Sequence, residues 1–351
     1  MRRPFWIGIV LACLLIMLSG CVGREAPKES APEEALTVVD SAGRLVVIPQ
    51  PVERVVSVFS YADVAMCILG VPEKLVGCSS FVKKNKEQFP QLAHAADVGW
   101  AWNPNWEVIY SLKPQVLLVP ATWGEDISKY VDKCEPAGIK VVCLDLKPAT
   151  FNRDLMILAK IVGAEERARQ HIAWRNHYID LIRKRVRSLK EEEKVSVYIE
   201  GWSEWSTASK GSAYHQCVTI AGGKNIAAEL EGEYPKVSPE WVLEHNPDVI
   251  IKVTYKTGVG YTVSDTSEVE ALRNEIMNRA ILKDTKAVRE GRVYVIKSSI
   301  LLKRSEVGIA YIAKWLYPDL FEDLDPKQIH KEWFEKWFGA PYRGVWAYPE
   351  P

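Results

Sequence analysis

Apolar positions recur along this chain with two periods, and the switches between them mark its elements. Leu36-Thr-Val-Val-Asp40-Ser-Ala-Gly43-Arg44-Leu-Val-Val-Ile48 alternates around an Asp-Ser-Ala-Gly turn, which predicts a β-hairpin. Short apolar runs follow at 55–59, 75–78, 116–119 and 140–144, and helical patterns fill the gaps at 62–69, 106–112 and 127–135. Asn103 or Asn105 suits the N-cap of the second helix, and Pro114 ends it. Four- or five-residue apolar strands alternating with helices predict an α/β lobe with a parallel sheet.

A helical stretch from about 152 to 189 comes next, with one interior glycine, Gly163, and no proline. At 1.5 Å per residue it would span roughly 50 Å, more than one lobe needs. The basic cluster at its end (Arg183, Lys184, Arg185, Arg187, Lys190) suits a helix C-terminus and a solvated face. A second α/β set follows, with strands at 195–199, 249–253 and 293–296 and helices at 214–221, 238–245, 305–315 and 328–338. The aromatics of the last helix, Trp333, Phe334, Trp337 and Phe338, fall at helical spacing and read as packing. The expectation is an α/β fold of two Rossmann-like lobes with mainly parallel sheets, joined by one long rigid α-helix. The boundaries read 36–150 for the first lobe, 151–190 for the connector and 191–351 for the second lobe.

The N-terminus stands apart from this pattern. Arg2 and Arg3 precede an apolar run at 5–18, too short for a comfortable span and suited to a signal peptide over residues 1–20. The run ends in Leu18-Ser19-Gly20-Cys21, which resembles a bacterial lipobox, so Cys21 is the expected lipidation site. Residues 21–35 are polar, proline-containing and non-periodic, and read as a flexible tether. The expected location is the extracytoplasmic face of the cell membrane, with the chain held there by lipid.

Composition narrows the function. With 45 Lys+Arg against 45 Asp+Glu in 351 residues, the net charge is zero and no basic stripe points to nucleic acid. HExxH, GxSxG, GxxxxGK[ST] and GxGxxG are all absent from the sequence, so nothing supports an enzyme, and no cofactor is expected. Seven cysteines include no CxxC; five lie beyond Cys21, an odd number that cannot all pair, and Cys67, Cys78, Cys134 and Cys143 sit on or beside apolar segments and read as buried thiols, with one disulfide among them left open. Bare-ion capture would need several His and carboxylates on one cleft, and there are six His.

The segments "VVDSAGRLVVIPQPVERVVSV", "NWEVIYSLKPQVLLV", "AGIKVVCLDL", "IAGGKNIAAEL", "VSPEWVLEHNPDVII", "AVREGRVYVI" and "YIAKWLYPDLF" occur in order. Together they resemble the substrate-binding proteins of ABC importers for iron complexes and cobalamin, with Gln115 where that family usually has Asp. The resemblance implies a ligand cleft between the lobes and small lobe closure about a stiff connector. It implies as partners an ABC permease dimer with its ATPase and a metal-chelate ligand, bound reversibly by a monomer. A ferric siderophore leads; cobalamin, haem or a bare metal ion are the alternatives.

Ligands of open α/β sheets bind beyond the carboxyl ends of the strands. The loops there carry Phe59, Tyr61, Trp100, Trp102, Trp123, Trp202, Trp205, Tyr214 and Tyr255, flat apolar walls of the kind a chelate needs. Among the cations Lys83, Lys84, Lys210, Lys256 and Arg304, the last is the preferred anion contact, because it follows a strand-like run and precedes a helix. His94 or His215 enters only as an axial ligand if the chelate is haem. By resemblance, Glu107 in "NWEVI" and Glu240 in "SPEWV" dock on the permease. Both also fall in a first helical turn, where a carboxylate is favoured without any partner protein.

Overall fold

The computed structural model describes residues 34–121, 126–255 and 258–351. The leader, Cys21 and nearly all of the tether lie outside them, as do Trp123 and Lys256. Among the described residues no helix is long and apolar enough to cross a membrane.

The hairpin forms as expected, with β1 (Ala35–Val39) pairing antiparallel with β2 (Leu45–Pro49). The first sheet follows: β3 (Val55–Ser57), β4 (Leu75–Cys78) and β5 (Ala96–Asp97), then the small ribbon β6 (Gly99–Trp100) and β7 (Asn103–Pro104), then β8 (Val116–Pro120) and β9 (Lys140–Leu144). Its order is β5-β4-β3-β8-β9, all parallel. Helices α1 (Ser60–Ile68), α2 (Ser80–Lys84), α3 (Trp106–Ser111) and α4 (Ser128–Cys134) connect it. Every residue of β8 is buried, as a parallel strand covered on both faces requires. The hairpin turn lies on β9, where Ser41 N–H donates to Cys143 O at 2.9 Å and Cys143 N–H donates to Asp40 Oδ2 at 3.2 Å.

The connector differs from the unbroken helix expected. It is two helices, α5 (Phe151–Val162) and α6 (Glu165–Val186), parted where Gly163 takes a left-handed φ of 73°. Glycine enters that conformation without penalty and closes helices there. The 22 residues of α6, about 33 Å long, still reach both lobes. Buried Arg175 shows this directly: Nη2 donates to Pro148 O at 2.8 Å, while Nε lies 3.4 Å from Glu306 in the second lobe.

The second sheet holds β10 (Ser196–Glu200), β11 (Lys224–Asn225), β12 (Val249–Thr254), β13 (Val293–Lys297) and β14 (Ala347–Tyr348) in the order β11-β10-β12-β13-β14. Only β14 runs antiparallel. Its helices are α7 (Ala213–Ile220), α8 (Pro239–His245), α9 (Ser267–Met277), α10 (Lys286–Arg289), α11 (Ser298–Lys303), α12 (Ser305–Leu316) and α13 (Pro326–Glu332), the last continuing as a π-helical turn, Trp333–Phe338. That turn crosses to the connector and the first lobe. Arg167 Nη2 donates to Lys336 O at 2.6 Å, Gln91 Nε2 donates to Phe338 O at 2.9 Å, and the Phe338 ring meets Phe89 edge-on at 5.2 Å. The expected packing role of Trp333, Phe334, Trp337 and Phe338 holds, since all four are buried. One apolar core runs continuously from Val38 in the hairpin through both lobes to Ala347.

Candidate functional site

Side chains beyond the carboxyl ends of strands from both sheets meet between the lobes. Tyr61, in the first turn of α1 after β3, comes from the first lobe. Trp202 after β10, Tyr214 in the first turn of α7, Tyr255 after β12 and Tyr234 come from the second. Ring centroids lie 5.0 Å apart for Trp202–Tyr234, 6.2 Å for Trp202–Tyr255 and 5.6 Å for Tyr214–Tyr234. The hydroxyls of Tyr214 and Tyr255 approach to 3.5 Å. Burial raises the Tyr61 pKa well above its ordinary value, and Tyr255, Tyr234 and Asp145 nearby add to the rise. The phenol therefore stays protonated and can donate a hydrogen bond. Trp202 and Tyr255 remain 48% and 47% exposed, so the cluster presents a half-open aromatic wall.

The wall rests on rigid supports. Glu200, buried at the end of β10, pairs with Lys252 at 2.7 Å and Arg279 at 2.6 Å. Lys252 also donates to Gly201 O at 2.8 Å, which fixes the backbone just before Trp202. At one flank Lys147 of the first lobe pairs with Glu233 of the second at 2.8 Å, and Ala149 N–H donates to Gln216 Oε1 at 3.0 Å. Tyr234, next to Glu233, is a member of the wall that strand-end reasoning passed over. The nearest sequence signal is the turn-like "EGEYP" around it.

Four expected contacts sit differently. Phe59 is 1% exposed and belongs to the core, because the helix that begins at Ser60 turns it inward. Tyr214 is fully buried as a residue and backs the wall, with its hydroxyl directed at Tyr255. Trp205 holds a left-handed φ of 59° and packs on the cluster of Tyr198, Val242 and Ile250 at the second sheet, with the Arg279 guanidinium 5.0 Å over its ring. Arg304 is fully buried and does not reach the cleft. Trp333, Phe334 and Trp346 cage its guanidinium at 4.4, 4.7 and 4.7 Å, and Nη1 donates to His330 Nε2 at 2.9 Å.

Trp100 and Trp102 form their own stack, 5.0 Å apart and 11° from parallel, with Trp102 61% exposed. Trp100, Ser80, Asp97 and Trp106 line a cavity of about 630 Å³ beside it. His94 is exposed on the surface, whereas His215 bonds Thr219 Oγ1 at 3.3 Å and Asn225 Nδ2 at 3.1 Å, so both of its ring nitrogens are engaged. Among the described residues no three His, Cys, Asp or Glu side chains group as a metal ion would require. The five described cysteines are free and buried.

Glu107 and Glu240 are the second residues of α3 and α8, one on each lobe, and both are exposed. Neither serves as the cap. Asn105 accepts from Val108 N–H at 3.2 Å and Ser238 accepts from Trp241 N–H at 3.1 Å. Among the described residues neither carboxylate forms an ion pair.

Residues 55–300 match the family model described as periplasmic binding protein. The chain is 24% identical over 294 residues to the Fe(3+)-citrate-binding protein YfmC of Bacillus subtilis, covering 82% of this chain and 86% of that one. It is 23% identical over 365 residues to the molybdate-binding protein MolA of Haemophilus influenzae, covering 95% and 97%. The TroA-like periplasmic binding protein FepB of Veillonella parvula superposes with a TM-score of 0.76 at 23% identity, over 89% of this chain and 99% of that one, which is a likeness of fold. Two lobes built on parallel sheets, facing each other across their strand ends, are thus the frame of a solute-binding protein, and this chain belongs to the periplasmic binding protein family.

Proposed function

We propose that this protein is the extracytoplasmic binding component of an ABC importer and that it captures a metal chelate, a ferric siderophore or related ferric complex in the first place. The observation that carries the reading is the half-open wall of Trp202, Tyr234 and Tyr255, faced by Tyr61 from the other lobe. Flat aromatic surface with a few convergent hydroxyls suits a ligand that presents organic faces around its metal. YfmC, whose name gives iron(III) citrate, supports a ferric chelate. MolA, matched over nearly the whole chain, supports an oxyanion as the second reading.

The continuous core, the α6 connector and the C-terminal crossing favour capture with little lobe movement. Glu107 and Glu240, each free of a capping duty, supply a carboxylate on either lobe for basic pockets of a permease dimer. Cys21 is the proposed lipid attachment.

Tryptophan fluorescence tests the binding. Ferric hydroxamate, ferric catecholate and ferric citrate complexes, molybdate, cobalamin and haem are titrated in turn, with correction for ligand absorption. Saturable quenching by one of them, weakened in Trp202→Ala, is the expected result; a full set of flat titrations would refute the reading. Charge reversal by Glu107→Lys with Glu240→Lys should abolish uptake in cells while leaving binding within about twofold. Unchanged uptake would remove both residues from docking.

A further inference from the structure

Lys303 ends α11, beyond β13 in the second lobe, and its residue is only 7% exposed. Its ammonium reaches across to the first lobe, 3.3 Å from the centroid of Phe81 and 5.8 Å from that of Tyr61. Both rings follow first-sheet strands at their carboxyl ends, and Tyr61 is the residue that faces the tyrosine wall. No hydrogen bond or ion pair within the described residues satisfies this nitrogen. Asp63 attracts it from a distance, while Arg304 and Lys297 repel it. A lysine so enclosed is ordinarily paired. Two aromatic faces offset only part of its lost hydration.

We propose that Lys303 is the anion receptor of the cleft, where a negatively charged group of the ligand meets its ammonium beside the Tyr61 ring. The inference rests on the binding function proposed above and deepens it by naming the ligand class. The ligand is a chelate bearing anionic carboxylate, phenolate or hydroxamate oxygens, or an oxyanion, rather than a neutral complex. Burial, then Arg304, pulls the Lys303 pKa well below its ordinary value in the empty cleft. An arriving anion favours the charged form and raises that pKa again, so proton exchange at this amine on binding runs in the direction of uptake.

Isothermal titration calorimetry of the full-length protein in detergent tests this near neutral pH, in two buffers of different ionisation enthalpy. Ferric citrate, an anionic ferric catecholate, molybdate and cyanocobalamin (no net charge) are the probes, applied to wild type, Lys303→Met and Lys303→Arg. The expected result is saturable binding of one anionic probe with proton uptake. Lys303→Met should lose about 10- to 100-fold in affinity together with the buffer dependence. Lys303→Arg should recover part of the affinity. Removing a buried amine that has no hydrogen-bond or ion-pair partner among the described residues should leave the melting temperature of Lys303→Met unchanged or higher, which separates ligand contact from a structural role. Whether ferric citrate or molybdate binds distinguishes a carboxylate chelate from a simple oxyanion. Cyanocobalamin binding as tightly as the anions, or Lys303→Met binding ferric citrate within twofold of wild type, would overturn the inference and leave the binding function standing. No saturable binding of any chelate would overturn both.

Discussion

Replacing Trp202 by alanine removes the ring that joins Tyr234 and Tyr255 into one wall. A tryptophan side chain can bury up to about 250 Å², and 48% of Trp202 is exposed in the empty cleft. Roughly 120 Å² therefore remains for a ligand to cover, worth about 3 kcal/mol at ~25 cal/mol per Å². A flat ligand covers one face and an edge, so about 2 kcal/mol is the working figure, or some 30-fold in Kd. The buried half packs on Tyr234 at 5.0 Å, so the variant should also lose about 1–2 kcal/mol of stability, which thermal melting measures. Trp202→Phe, which keeps a smaller ring there, should fall between the two proteins. Kd is read from quenching of the remaining tryptophans, or by calorimetry if that signal fades. Affinity within twofold of wild type in Trp202→Ala, with the fold intact, would refute the assignment of this ring to the ligand wall.

Other expectations follow from buried groups. Burial raises the Asp63 pKa to about 7, against 3.8 in the unfolded chain, so the folded state holds the proton more tightly. Stability from this group is complete below pH 3.8 and is lost as pH rises through 7, by up to about 4 kcal/mol. Asp63→Asn should flatten that fall, and parallel curves of melting temperature against pH for the two proteins would contradict it. Glu200→Gln leaves Lys252 and Arg279 without their buried carboxylate and should cost about 3 kcal/mol or more in denaturant titration. A thiol reagent should find no reactive cysteine in the native protein starting at Glu34 and five after unfolding; fewer than five under non-reducing conditions would mean a disulfide.

Local chemistry was legible where one residue type has one use. The hairpin alternation, the wholly apolar β8 and the helix starting at Ser238 appear where the residues point, and of Asn103 and Asn105 it is Asn105 that caps α3. The connector break was not legible, because a lone glycine costs a helix only about 1 kcal/mol and tertiary packing decides the outcome. Trp202 and Tyr255 could be found from strand ends. Tyr234 could not, since packing against Tyr214 rather than a strand brings it in. Arg304 and Lys303 show the limit most sharply. The α11–α12 junction sits on Arg304, at φ −149° and ψ 56°, and sends neighbouring cations to different surroundings. One sits in a sealed aromatic cage and the other against Phe81 and Tyr61. Only backbone direction separates them.

The C-terminal crossing also sets an order of events in time. The turn Trp333–Phe338 lies against α1, a helix made near the start of the chain. A nascent first lobe therefore emerges with that flank of α1 bare, and it stays bare until nearly the last residues have been synthesised. Contacts of such wide sequence separation slow folding, because the long intervening loop must close before they form. The chain thus reaches its finished state only as a whole, and a product truncated before Trp333 would be left with a sticky, chaperone-seeking first half instead of an autonomous lobe.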